Sequence, residues 1–341
     1  MTEENNKETK TKKNSKKNKK VKKGKIFTID KIFYILAVIV LAIIMYIGKD
    51  YDWNTVLNTT NANFNNIKIT LFDDTEISNK ANNTTTTSDI DPTKENLKIY
   101  FIDVGQADSI LVIDNDKTML IDAGTNDQGK NVVEFLKNKG VNKIDYLVGT
   151  HPHEDHIGGL DDVINNFEIG TIYMPKVQTN TKTFESVLDA ISNKGLKVTT
   201  PNVNDKFKLN KAECEIMSTI NDEDNLNLSS VVIRMTYINQ SYLFMGDAEK
   251  ENEEARQWPQ TNVLKVGHHG SDTSTTKQFL SQVKPNIAVI SVGKDNSYGH
   301  PKQITLDKLA NVNAKVYRTD TSGTILITSN GEINKVETNI K

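Results

Sequence analysis

The six histidines of this chain lie in three short segments, at 151–156, at 268–269 and at 300. Histidines that only fill a core or lie on a surface should be scattered along the sequence, so this clustering indicates a shared task. The first segment is His-Pro-His-Glu-Asp-His. Imidazole and carboxylate groups are the ligands that zinc and similar first-row metals take in proteins. We therefore predict a metal site.

The spacing within 151–156 indicates how these ligands divide between two ions. Alternate residues of an extended turn point the same way, so His151 and His153 would face one metal. Asp155 and His156 would then face a second, adjacent position. Two divalent ions about 3.5–4 Å apart can share a hydroxide and lower its pKa towards 7. The sequence therefore predicts a hydrolytic centre with two divalent ions, zinc or manganese.

Apolar periodicity indicates the elements that position these residues. Strand patterns and helical patterns alternate along the chain, and the segment 151–156 follows directly on a predicted strand. The predicted strands are 97–104, 109–113, 118–122, 144–150, 171–174, 197–200, 263–266, 287–292, 315–318 and 324–328, with a β-rich block at 207–245, and the predicted helices are 130–139, 158–166, 183–194 and 303–310. Ligands at strand ends are usual in layered α/β folds. We expect an α/β domain with two sheets packed between layers of helices.

The pattern HxHxDH at a strand end resembles the first metal motif of the metallo-β-lactamase superfamily. Further segments resemble the C-terminal hydrolase domain of the ComEC competence proteins, and they lie at 101–110, 120–124, 244–247, 264–271 and 291–301. The resemblance covers about residues 97–330. It implies a four-layer αββα metallo-β-lactamase fold and a metal-dependent hydrolase.

The same resemblance implies roles for individual residues. Asp247 would bridge the two metals, and His268, in preference to His269, would complete the second site. The implied metal ligands are therefore His151, His153, Asp155, His156, Asp247 and His268. Asp155, Asp247 and His300 form the expected catalytic set, with His300 as a phosphate contact or proton donor.

One departure from the superfamily pattern concerns the first metal. Many members carry a third histidine just before the strand that precedes the Gly-Asp motif, whereas this chain has Asn-Leu-Asn-Leu-Ser-Ser at 225–230. The ComEC-like domains resemble this chain here, which disfavours β-lactamase activity. Asn227 and Ser229 are hydrogen-bonding candidates, and His269 and Ser271 complete the expected substrate-binding residues. Asp122 precedes a glycine turn, so we expect it to bond backbone groups.

The N-terminal third differs in composition from the rest. Residues 1–31 carry 12 lysines against four acidic residues, whereas the remainder has a net charge of −10. Residues 32–48 are uncharged, apolar and just long enough to span a bilayer. We predict a basic cytoplasmic tail at 1–31, a transmembrane anchor at 32–48, a disordered Asn/Thr-rich linker at 49–95 and the hydrolase domain at 96–341.

The lysine excess before the apolar stretch predicts a cytoplasmic N-terminus and an extracytoplasmic hydrolase domain. A cleaved export signal also has a basic segment before an apolar one. The sequence after Gly48 lacks a small-x-small cleavage pattern, so we favour an uncleaved anchor. The lysine-rich tail is typical of a solvated, disordered segment, and we prefer this to a nucleic-acid-binding arm.

The expected function is that of a phosphodiesterase or nuclease, since ComEC-like domains are associated with degrading one strand of extracellular DNA during uptake. The acidic body opposes DNA binding unless Lys265, Lys294 and Lys302 form a local basic rim. A hydrolase of a small lactone or wall-derived substrate and a non-catalytic metal-containing binding module are the alternatives. The sequence predicts contact with a membrane and indicates no protein partner.

Overall fold

A computed structural model describes residues 96–341 of the chain, and the predictions for the tail, anchor and linker lie outside these residues. One sheet contains β1 (Leu97–Phe101), β2 (Ile110–Asp114), β3 (Lys117–Ile121), β4 (Lys143–Val148), β5 (Glu168–Tyr173), β6 (Val198–Thr199), β14 (Ile325–Ser329) and β15 (Asn334–Glu337). Its spatial order is β15-β14-β1-β2-β3-β4-β5-β6. The pairs from β15 to β3 are antiparallel, and those from β3 to β6 are parallel.

The second sheet follows chain order. It contains β7 (Lys206–Lys208), β8 (Glu213–Ser218), β9 (Val232–Tyr237), β10 (Gln240–Phe244), β11 (Val263–Lys265), β12 (Ile287–Ile290) and β13 (Lys315–Arg318). Strands β7 to β10 pair antiparallel, and β10 to β13 pair parallel.

Eight α-helices lie within the described residues. They are α1 (Gly129–Asn138), α2 (Glu154–Ile157), α3 (Leu160–Asn166), α4 (Lys182–Asn193), α5 (Lys250–Glu254), α6 (Lys277–Val283), α7 (Gln303–Asn311) and α8 (Thr319–Ser322). None of them is long and apolar enough to cross a bilayer.

Alternation along the strands divides the apolar side chains between separate layers of the core. In β1, Ile99 and Phe101 join a buried cluster between the two sheets, whereas Tyr100 faces the opposite way. This follows from the period of two in an extended chain. A second cluster joins the first sheet to α1, α3 and α4, and a third joins the second sheet to α6 and α7. The predicted α/β fold with two sheets is confirmed, and helices cover the outer face of each sheet.

The predicted elements agree with the structure to within a few residues, with one informative difference. The helix predicted at 158–166 is α3, which begins at Leu160, and the short helix α2 at Glu154–Ile157 lies in the segment predicted to be an extended turn. The short helices α5, α6 and α8 were not predicted, because seven residues or fewer hold too few turns to show a helical period.

Candidate metal centre

The loops that carry the histidines all follow strands near the middle of the two sheets. Residues 149–153 connect β4 to α2, and residues 245–249 and 266–276 follow β10 and β11. Because these strands lie in parallel pairs, their carboxyl ends meet at one edge, where α/β proteins commonly place ligands. The two sheets thus contribute to one site.

Asp122 fixes the orientation of the first histidine segment. Its carboxylate accepts hydrogen bonds from the backbone N–H and the hydroxyl of Thr150, both at 2.8 Å. The same carboxylate lies 2.8 Å from Nδ1 of His156. Asp122 therefore bonds backbone, as predicted, and also turns Nε2 of His156 away from itself and towards the other ligands. A carboxylate behind a metal-binding imidazole is a common way to fix its ring.

Two glycines allow the histidine segment to pack tightly against its neighbours. A Cβ atom on Gly158 would lie 2.3 Å from the backbone nitrogen of Asn126, and one on Gly159 would lie 2.4 Å from the carbonyl oxygen of Ala123. No other residue fits at these approaches. The glycines therefore hold α2, which carries Asp155 and His156, against the loop after β3.

Four side chains converge on one position. One carboxylate oxygen each of Asp155 and Asp247 and one ring nitrogen each of His156 and His269 all lie within 4.8 Å of one another. Nε2 of His269 is 3.3 Å from Asp155 Oδ2 and 3.4 Å from Asp247 Oδ2, and Nε2 of His156 is 3.3 Å from the same Asp247 oxygen.

The polar atoms of this group fit a bound cation. The Nε2 atoms of His156 and His269 are buried and have no hydrogen-bond partner among the described residues. A buried polar atom without a partner is costly, so these nitrogens indicate a position for a cation. Two imidazoles and two carboxylates are a donor set that suits zinc or manganese. The four residues therefore fit one divalent ion.

The two adjacent histidines are arranged differently from the sequence-based expectation. Both have left-handed backbone angles, with φ of 47° at His268 and 50° at His269. Nδ1 of His269 lies 2.9 Å from the carbonyl oxygen of Ser291, to which it donates, so its Nε2 points to the metal position. His268 instead directs Nδ1 to Thr273 and Glu249, at 3.0 and 3.2 Å. Nε2 of His268 lies 3.8 Å from Asp247 Oδ2, against 3.4 Å for Nε2 of His269, so the four-residue group contains His269 and His268 lies beside it.

His151 and His153 lie beside this group. Nε2 of His151 is 3.0 Å from Nδ1 of His153, so the two nitrogens are within hydrogen-bonding distance of each other, and the metal predicted between them stays a prediction. The ring of His151 is 4.1 Å, centre to centre, from that of His156. On its other side, Nδ1 of His151 lies 3.4 Å from the hydroxyl of Ser230. These two imidazoles could hold a second ion next to Asp247.

The segment 225–230 contributes one expected residue, Asn227, and one unexpected residue, Ser230, to the site. Asn227 lines the cleft and donates from Nδ2 to Glu249 at 3.2 Å. The hydroxyl of Ser229 donates to the carbonyl of Leu226 and does not face the cleft. Ser230 takes its place, since its hydroxyl contacts His151 and accepts from the backbone N–H of Asp247 at 3.0 Å.

Ser271 also differs from its predicted role in substrate binding. Its side chain is buried and lies 3.2 Å from the hydroxyl of Thr273, within its own loop. It does not line the cleft. Its role is therefore to shape the loop that carries His268 and His269.

Lys265 is completely buried behind the metal position, so the basic rim proposed from the sequence is wrong at this residue. Its ammonium group forms an ion pair with Asp108 and donates to the carbonyl oxygen of Gly246 at 3.0 Å. It also lies 4.0 Å from Asp247 Oδ1. Lys265 therefore offsets the charge of two buried carboxylates and holds the turn that presents Asp247.

An open cleft of about 420 Å³ leads from the surface to this group. It is lined by Gln106, Thr125, His153, Glu154, Asp155, Asn227, Asp247, His268, His269, Tyr298 and His300. No lysine or arginine is among the described residues that line it. A substrate can therefore reach the metal position, and the cleft wall itself offers it no fixed cation.

Sequence comparison supports this interpretation of the site. The profile described as "Metallo-beta-lactamase superfamily" matches residues 102–294. The chain belongs to this superfamily. The matched span includes Asp122, the histidine segment, Asp247 and His269.

The superfamily member described here is also similar to bacterial competence proteins. It is 34% identical over 201 residues to ComE operon protein 3 of Bacillus subtilis, and the aligned segment covers 58% of this chain and 26% of that protein. It is 29% identical over 246 residues to Recombination protein 2 of Haemophilus influenzae, which covers 69% of this chain and 29% of that protein. Competence protein ComA of Neisseria gonorrhoeae is 30% identical over 231 residues, and the aligned segment covers 65% of this chain and 31% of that protein.

The matches therefore span less than a third of the length of each of these relatives. They confirm the resemblance to the ComEC competence proteins that the motifs indicated. The chain is a metallo-β-lactamase-fold hydrolase related to them, with residues arranged to bind metal.

Electrostatics divides the four metal-facing histidines of this hydrolase into two pairs. Burial lowers the pKa of His151 well below its ordinary value and also lowers the pKa of His153. Burial acts in the same direction on His156 and His269, but nearby carboxylates outweigh it there. The pKa of His156 lies well above its ordinary value, and that of His269 is raised to about 10, with Asp247 as the largest raising influence at both.

The carboxylates respond in the opposite direction. Burial alone would raise the pKa of Asp155 and Asp247, but His156 and His269 lower both below the ordinary value. Without metal at pH 7, two imidazolium groups therefore face two carboxylates. A metal ion must replace those two protons, because only a neutral imidazole can be a ligand.

This charge pattern predicts that metal binding releases protons in a site-specific way. An ion held by Asp155, His156, Asp247 and His269 should displace about two imidazole protons at pH 7, so its affinity should rise with pH. Isothermal titration of the full-length chain in detergent, in buffers of different ionisation enthalpy, measures that number. His269→Gln should lower it by about one.

His300→Gln is the matched control for the proton count. Burial, followed by His268, His269 and Lys302, lowers the pKa of His300 to about 4, so it carries no proton to lose at pH 7. Its replacement should leave the count unchanged. An equal count in wild type and His269→Gln would contradict the assignment of His269.

Proposed function

We propose that this chain is a metal-dependent phosphodiesterase that cleaves nucleic acid outside a cell membrane, to which residues 32–48 anchor it. The observation that carries the proposal is the group of Asp155, His156, Asp247 and His269 at the base of an open cleft. The similarity to competence proteins supports nucleic acid as the substrate.

The residues described above account for each part of the proposed mechanism. Divalent ions held there would supply Lewis acidity, which activates water and offsets the charge of a phosphodiester. Asp155 and Asp247 orient the reacting groups around the metal position. His300 lies in the cleft wall, and burial first, then His268, keeps its pKa low, so its ring is neutral at pH 7. A neutral imidazole can donate one hydrogen bond to a phosphoryl oxygen, which suits the role of phosphate contact better than that of proton donor.

The metal position can be reached from solvent through the cleft, which supports a catalytic role for the metal over a structural one. Structural metal sites are usually closed by protein ligands, whereas catalytic sites keep a position open to substrate. Asp155 is about one-third exposed and lines the cleft, so the metal position lies at its inner end. A non-catalytic binding module is therefore the weaker interpretation.

A small lactone or wall-derived ester is the second candidate substrate. The observation that favours it is the acidic cleft wall, with Glu154, Asp155 and Asp247 and no lysine or arginine among its described residues. Such a wall gives little of the phosphate attraction on which nucleic-acid affinity usually depends. Direct comparison of substrates separates the two candidates.

The full-length chain purified in detergent should hydrolyse bis-p-nitrophenyl phosphate after loading with zinc or manganese, and a chelator should abolish the reaction. Asp155→Ala and Asp247→Ala should each reduce kcat/KM by about 100-fold or more, since metal-assisted catalysis contributes several kcal/mol. Glu134→Ala, which removes an exposed carboxylate on α1, should leave the rate unchanged.

A homoserine lactone and a chromogenic β-lactam complete the substrate panel. Faster turnover of the lactone than of any phosphodiester would favour the second candidate. A metal-replete protein without activity on the whole panel would favour the binding module.

The proposed location predicts the outcome of limited proteolysis. Protease added to intact bacterial protoplasts should digest the hydrolase domain, because the lysine-rich segment 1–31 retains the N-terminus in the cytoplasm. Immunoblotting with antibody against residues 96–341 reports the digestion. Protection in intact protoplasts together with digestion after lysis would show the opposite topology.

A further inference from the structure

Tyr298 is unusual among the described residues. Large apolar side chains that remain exposed in this part of the chain are Leu188, Val198, Val203, Ile238, Tyr298, Ile304 and Ile333, and Tyr298 is the only aromatic one. It is 64% exposed, the highest value of this group, and it lines the cleft that leads to the metal position. A single exposed apolar side chain is ordinary on a protein surface, but an aromatic ring at the mouth of a cleft offers a face on which a planar group can stack.

The ring of Tyr298 is held in a defined place. It stacks on His300 with 5.8 Å between ring centres and 25° between planes. The loop that carries both rings is tied by Asn296, whose side chain donates to the carbonyls of Gly293 and His300 and accepts from the His300 backbone N–H. Lys302 donates to the Tyr298 carbonyl at 2.7 Å. The outer face of Tyr298 is therefore a preformed flat surface beside the cleft.

The charge of the cleft explains why such a surface would matter. Nucleic-acid enzymes often bind the strand through lysine and arginine contacts to phosphates. Here Lys265 is buried in an ion pair, and the described lining of the cleft contains no basic residue apart from histidines. The lining of the cleft therefore supplies little affinity through charge, and contacts of another kind would add to it. Stacking of a base on an aromatic ring is such a contact, and it does not depend on sequence.

We propose that Tyr298, backed by His300, forms a stacking subsite for the base of the nucleotide that flanks the scissile phosphodiester. This inference rests on the proposed phosphodiesterase function and adds a substrate requirement to it. A base in a duplex is already stacked and paired, so it is not available to Tyr298. The subsite therefore selects an unpaired nucleotide and adds specificity for nucleic acid over phosphodiesters without a planar ring, such as polyol-phosphate chains.

The test compares two substrates of equal length on the full-length, metal-loaded chain: an oligothymidylate and the same sugar-phosphate chain with every base replaced by an abasic tetrahydrofuran unit. Tyr298→Ala should raise KM for the oligothymidylate about tenfold, with little change in kcat, because base–aromatic stacking has about this effect. Tyr298→Phe should retain the wild-type KM, since the ring remains. On the abasic chain, Tyr298→Ala and wild type should have equal KM.

Ile304→Ala is the control, since it removes an exposed apolar side chain on α7 that does not line the cleft, and it should change neither substrate's kinetics. An equal effect of Tyr298→Ala on both substrates would show a general structural role and overturn the stacking subsite while leaving the phosphodiesterase function intact. Equal KM for single-stranded and duplex DNA in the wild type would also overturn it. If the wild type cleaves neither chain, the proposed nuclease function is wrong and the subsite with it.

Discussion

Charge balance in a buried group of acids and imidazoles is the constraint on which the rest of this structure depends. Asp155 lies on α2, which follows a strand of the first sheet, and Asp247 follows a strand of the second, yet both lie within 3.5 Å of the same imidazole, that of His269. Carboxylates brought this close inside a protein repel each other unless positive charge lies between them. In the metal-free protein that charge is two imidazolium protons, and in the loaded protein it would be a divalent ion. A divalent ion can replace the two protons only because the strand ends of both sheets meet at one edge and bring these residues together.

Residues behind the metal position also balance the charge of this group and hold its ligands in place. Lys265 lies between Asp108 and Asp247 with no exposure to solvent, and its charge cannot be replaced by water. Asp122 connects the end of β4 to His156 through three contacts of 2.8 Å. Lys265 is the last residue of β11 and Asp122 directly follows β3, so both are positioned by strand ends and hold the ligands in place without a metal. Such preorganisation makes the free energy of metal binding more favourable, because the ligand side chains do not have to be ordered when the metal binds.

Sequence reasoning predicted the two-sheet fold and the histidine segment because both depend on local signals: strands show apolar runs, and HxHxDH needs only six residues. It could not show that His269 lies closer than His268 to Asp155 and Asp247, because that arrangement depends on consecutive left-handed backbone angles and on the carbonyl of Ser291, which follows the next strand. Lys265 was placed on a basic rim because a lysine is usually exposed, and only the tertiary structure shows its ion pair with Asp108. Ser230, and not the predicted Ser229, contacts the site for a similar reason, since a shift of one position along the chain determines which hydroxyl faces inward. Tyr298 lies in the ComEC-like segment 291–301, but its exposure beside the cleft is visible only in the folded chain.

We propose that Asp155, His156, Asp247 and His269 together bind a catalytic divalent ion. Anomalous diffraction from crystals of the metal-loaded chain, recorded on both sides of the zinc and manganese absorption edges, locates that ion. We expect a strong peak about 2.0–2.2 Å from the oxygen and nitrogen atoms of these four residues, with His268 outside the coordination shell. A peak coordinated by His268 in place of His269, or one confined to the buried group of Asp108, Asp122 and His156, would contradict it.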